Sequence, residues 1–355
     1  MLVTGHSAHF NNPKTIFRII LLLIFFFSNF SFSQIYPNHH VDSLLTTGIT
    51  ELINQDYIAA QNSFLTLNKN YPDIPFGKIY LVALQIAKSL DLKLPYNTGY
   101  IDSNLNAALR ISETRYNNNP SVWNKYFIAL SKGYLAYYAA INRNWLSALN
   151  QGYDSMKDFD DCLSQDSSFY DCYIAIGTFE YWKSKKVEFL NWLPFFNDES
   201  QKGIEFLYKA IEHNSYNKYL AVYSLQWVLI NEKRYKDVVK ISEKALKDYP
   251  NNRTFRWALG RAYEEIDIRK SIEVYQNILN SYEKDTLTAF NDILLKHLIA
   301  QQYEKIGEFQ KSINLCDEIL NVTNLGDYKV DYLKRRIERV KKLKARLEQE
   351  IKDQK

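Results

Sequence analysis

Small residues recur between large apolar ones at helical spacing, and this recurrence narrows the possible folds more than any other feature of the chain. In RWALGRAYEEIDIRKSIEVYQNIL, residues 256–279, Leu259, Gly260 and Tyr263 share one helical face at i, i+1 and i+4. A neighbouring helix can therefore come close at the glycine. Ser271, Tyr275 and Ile278 repeat the arrangement on a second helix. Gly48, Ala60 and Pro72, twelve residues apart, do the same early in the chain, with Leu44 ahead and Phe64 and Leu67 before the proline. They predict one unit over residues 41–74, stopped by a ring that lacks an N–H. Ile299, Ala300 and Tyr303, then Gly307, Ser312 and Ile319, predict another, with EKIGEFQKSI as its turn.

Weaker units lie between these. Residues 75–120 read as a helix from Phe76 to Leu90, a long loop through Pro95 and Gly99, and a helix from Asp102 closed by Pro120. Gly133, Tyr134 and Tyr137, then Trp145, Ala148 and Leu149, mark a third pair; Gly177 marks a fourth, and residues 219–250 form a fifth. The total is about seven helix pairs, with no strand, since apolar residues recur at helical and not alternating spacing. The pattern at 256–279 resembles the tetratricopeptide repeat, a helix-turn-helix unit of about 34 residues with a W-x2-L-G-x2-Y half and an A-x3-F half. One departure stands out: Arg256 occupies the tryptophan position and Trp257 follows it. The resemblance implies an all-α, right-handed superhelical solenoid of antiparallel helix pairs, with first helices lining a concave groove that holds a protein or peptide. Such an array needs a closing helix, and Leu333, Ile337, Val340, Leu343, Leu347 and Ile351 supply the 3/4 spacing for one over residues 329–355.

The first 33 residues read differently. Lys14 and Arg18 precede an apolar run from Ile19 that ends near Phe32, with small residues before a cut after Ser33. A spanning helix needs about 20 apolar residues, and this run is shorter and broken by Ser28 and Asn29. A cleaved leader over 1–33 is the expectation, with retention as an anchor as the alternative. The array then occupies 34–328. Abundant Tyr, Asn, Lys, Ile and Phe beside such a leader suggest the periplasm or cell envelope of a Gram-negative bacterium. Of the formal charge of +4, residues 329–355 alone carry +6, from eleven Lys or Arg against five Asp or Glu. The basicity therefore belongs to the last helix. Its cations suit a solvated cap or an anionic surface; nucleic acid is not expected, since no interleaved aromatics follow Tyr332.

No HExxH, Walker loop, GxSxG, CxxC or GxGxxG is present, so we expect no catalytic residues, cofactor or metal site. His39 and His40 are adjacent, but two ligands fall short of a metal site. Cys162 and Cys172 should flank one helix-helix turn and either pair as a disulfide or pack as small core residues; Cys316 stands apart.

Two candidate surfaces follow. The concave groove would present Trp257, Arg261, Glu264, His297, Gln301 and Tyr181, because interfaces favour Trp and Arg anchors. The second is an aromatic insertion over residues 182–200, YWKSKKVEFLNWLPFFNDES from Tyr181, where Trp182, Phe189, Trp192, Phe195 and Phe196 either fill the space between pairs or form a ridge for a partner or a membrane surface. The functional expectation is a non-enzymatic protein-binding scaffold. A membrane-associated assembly factor and an enzyme with a noncontiguous site are the alternatives.

Overall fold

The computed structural model describes residues 34–186, 198–282, 289–322 and 327–353; the leader at 1–33 and most of the aromatic insertion, including Phe189, Trp192, Phe195 and Phe196, lie outside them. Among the described residues there are fifteen helices and no strand. They are α1 (His39–Ile53), α2 (Tyr57–Asn70), α3 (Phe76–Leu92), α4 (Thr98–Asn118), α5 (Val122–Ile141), α6 (Trp145–Gln165), α7 (Tyr170–Lys186) and α8 (Ser200–Glu212). After them come α9 (Lys218–Asn231), α10 (Tyr235–Asp248), α11 (Arg253–Ile266), α12 (Ile268–Asn280), α13 (Ala289–Lys305), α14 (Phe309–Leu320) and α15 (Asp327–Asp353). Each packs chiefly on its neighbours in sequence, as a chain of short amphipathic helices must to bury its apolar stripes.

Local chemistry sets where the helices begin. Asn38, Asp56, Asn97, Ser121, Asn144, Asn252 and Asp267 each accept a hydrogen bond from a first-turn N–H, satisfying a donor that the helix leaves free. The connection in the second unit is shorter than its sequence suggests. Gly99 lies inside α4, because Asn97 caps the helix well ahead of Asp102 and the loop shrinks to residues 93–97.

The glycines of the repeat pattern sit where helices touch. A methyl group added at Gly260 would lie 2.6 Å from the Tyr275 ring, and one at Gly48 would run into Phe64. Ser271 donates to the Gly260 carbonyl at 3.0 Å across the same contact. Five residues that follow helices are left-handed, Lys93 after α3 and, in four short turns, Gln55, Arg143, Lys233 and Gly307, the latter four with φ of 63°, 60°, 57° and 74°. Two residues after each of these four comes the aromatic that opens the next helix, respectively Tyr57, Trp145, Tyr235 and Phe309. Only glycine adopts that conformation without steric strain.

Beyond its neighbour contacts, the chain is tied across long separations. The segment 34–36 enters the interior: Gln34 and Tyr36 are buried, and the Gln34 amide bonds Asp171 through both of its ends. Tyr216 accepts from the Tyr36 N–H at 2.8 Å and donates to Asp42. Asp91 in α3 pairs with Arg253 at the start of α11 and accepts from Tyr57 and Tyr282, both at 2.9 Å. Asn252 donates to the Ile53 carbonyl at 2.6 Å. The first helices are thereby bound to residues more than 150 positions later, which an array touching only its nearest neighbours would not do. At the other end, α15 lies on α14 and α13 and buries Leu333, Val340, Leu343 and Leu347.

Candidate binding surface

The expected groove residues are largely engaged inside the protein. Tyr181 is fully buried, donating to Glu232 at 2.7 Å and accepting from Asn231 at 2.7 Å. Glu264 is buried and holds Arg261 at 2.6 Å while accepting from Tyr275. His297 is buried against Arg336, with 3.0 Å between Nδ1 and the guanidinium. Its burial, and then Arg336 and Arg339, lower its pKa to about 4, so it is neutral near pH 7. Trp257 is half-buried against Tyr275, with centroids 5.7 Å apart. Arg261 is exposed and Gln301 half-buried. Trp182 is half-buried, edge-on to Tyr181 at 5.0 Å. Tyr181 and Glu264 thus find partners on nearby elements and His297 on α15, while Arg261 stays open to solvent.

A different set of aromatics converges. Tyr134 of the same helix, Tyr223 of α9 and Tyr96 in the loop between α3 and α4 each come within electrostatic reach of Tyr137 of α5. Tyr137 is 43% exposed while the other three are half-buried. Desolvation raises its phenol above the usual range, and the neighbouring phenols Tyr223, Tyr96 and Tyr134 add to the shift. Trp227 stands edge-on to Tyr223 at 6.4 Å, and Tyr96 edge-on to Tyr138 at 6.1 Å. Burial likewise raises the phenols of Tyr134 and Tyr223, so with Tyr137 they offer ring faces and protonated hydroxyls near neutrality. Sequence periodicity marks Tyr134 and Tyr137 as helix-contact residues; Tyr223, 86 positions beyond Tyr137, belongs to a separate helix and shares no local spacing with them.

The buried ionisable groups are occupied structurally. Asp171 accepts from Tyr126 at 2.9 Å and from the Asn217 N–H and side-chain amide, both at 3.0 Å. Its burial raises its pKa, and donation from Asn217, Ser215 and Tyr126 opposes the rise. Cys162, Cys172 and Cys316 are free and buried; Cys162 and Cys172 lie in one apolar cluster beside the α6–α7 turn, and the Cys162 thiol faces the Val122 carbonyl at 3.8 Å. Among the described residues, no group of three or more His, Cys, Asp or Glu could hold a metal ion. No helix among them is long and apolar enough to cross a membrane. No protein-family model matches the chain, and no curated protein matches it.

Proposed function

We propose that the chain is a non-enzymatic binding scaffold of the cell envelope: a tetratricopeptide-like array of seven helix pairs in a right-handed superhelix, behind a cleaved leader. Its working surface is the cluster of Tyr96, Tyr134, Tyr137 and Tyr223, and its partner is an extended segment of another protein. One observation supports this most: Tyr137 keeps 43% of its surface open although Tyr134 of its own helix, and Tyr96 and Tyr223 of two other elements, lie within electrostatic reach of it. Tyrosine gives large contact area with little conformational entropy to lose, and its hydroxyl can bond a peptide backbone.

The test is an affinity capture from envelope extract with the chain from Gln34, beside a Tyr137→Ala, Tyr223→Ala variant whose helical circular dichroism matches the parent. A protein retained by the parent and lost by the variant supports the reading. Equal retention by both, or retention by neither, counts against it.

A further inference from the structure

We infer that the turn between α5 and α6 is a membrane-docking tip that rests in the interfacial layer of an anionic lipid bilayer. The proposal is independent of the protein partner above and uses other residues. Trp145, Leu146, Leu149 and Tyr153 are 60%, 73%, 53% and 57% exposed, and they lie at i, i+1, i+4 and i+8, along one side of the start of α6. Residues 138–153 contain one charged side chain, Arg143, and no acid, in a chain where charged residues make up 24%. Arg143 is exposed at the apex of the turn.

Helices α5 and α6 have 20 and 21 residues against 14 each for α9 and α10, and six further residues lengthen a hairpin by roughly 9 Å. The end of α5 is held by the start of α4 through Tyr138, Ile101 and Leu105. The first turn of α6 has no such cover. Of the four turns that share the left-handed residue, three turn their aromatic into a core: Tyr57, Tyr235 and Phe309 pack against buried clusters. The fourth leaves Trp145 outside.

This chemistry fits a lipid surface. Interfacial segments place Trp, Tyr and Leu at the headgroup boundary and sink roughly 5–10 Å. Tryptophan and tyrosine concentrate at that depth, and a lone cation with no acid beside it suits anionic headgroups. The basic face of α15 cannot dock in the same way, because its apolar side is spent on α13 and α14; it offers charge alone.

Flotation of the chain from Gln34 with phosphatidylethanolamine–phosphatidylglycerol vesicles tests the assignment. The parent should float, and Leu146→Ser, Leu149→Ser should lower its partition at least about tenfold, given the apolar area withdrawn. Arg143→Glu should weaken it about fivefold, and Lys341→Glu, Lys342→Glu should leave most of it. Failure of the parent to bind vesicles overturns the proposal, as does loss that follows the α15 variant and spares the tip variant. Light scattering and thermal melting complete the test. A tip variant that converts a dimer to a monomer makes the tip a contact between copies, and one that melts several degrees lower makes Leu146 and Leu149 internal; either result also overturns it.

Discussion

The turns at residues 54–57 and 142–145 have the same backbone and opposite surroundings. Each carries a left-handed residue, Gln55 or Arg143, and each launches a helix with an aromatic. Tyr57 packs into the first apolar cluster and donates to Asp91, which also holds Arg253 and Tyr282. Trp145 faces outward, with Leu146 and Leu149 beside it. Local sequence thus specifies the hairpin, while what the hairpin meets decides whether its apolar residues form core or surface. Where distant parts of the chain return, the aromatic becomes structural; where they do not, it is available for a partner.

The contrast can be broken most severely at the first turn. Asp91→Ala leaves Arg253 buried without its counter-charge, and removing one member of a buried pair costs about 3–5 kcal/mol; the denaturant midpoint should fall sharply, with α1–α3 and α11 loosening together. Gly260→Val overfills the contact with Tyr275, with an expected loss of about 1–3 kcal/mol in the same measurement. A pH effect should follow at the far end. The folded pKa of His297, about 4, lies below the ordinary value of 6.5, so the unfolded chain binds the extra proton first. The stabilising effect of a neutral His297 is complete above about pH 6.5 and is lost as pH falls toward 4. Urea midpoints at pH 7 and pH 5 should differ in that direction, and His297→Gln should flatten the difference. At the second turn, Leu146→Ser should change stability by less than about 0.5 kcal/mol, as for other exposed positions; a larger loss would erase the contrast between the two hairpins.

Much of the helical framework is legible in the residues. Gly260 opposite Tyr275, Gly48 opposite Phe64, and the buried run of Leu333, Val340, Leu343 and Leu347 all follow from spacing. The candidate surface is not. Tyr181, Glu264 and His297 have the spacing of face residues, but their partners Glu232, Tyr275 and Arg336 lie 51, 11 and 39 positions away on other helices. No sequence spacing marks Asp91 and Asp171, because helical periodicity is local and residues that hydrogen-bond them come from up to 200 positions away. The aromatic cluster fails to appear for the same reason. Its tyrosines carry no motif and come from α5, α9 and the loop between α3 and α4.

Amide hydrogen exchange of the whole chain tests the central distinction most directly. The long-range ties predict that α1–α3 and the start of α11 share one slow opening, with protection near the global limit, while residues 142–149 exchange orders of magnitude faster. If α1 and α2 instead open early and independently of residues 252–255, or if the α6 tip is as protected as they are, the two hairpins do not differ in the way described.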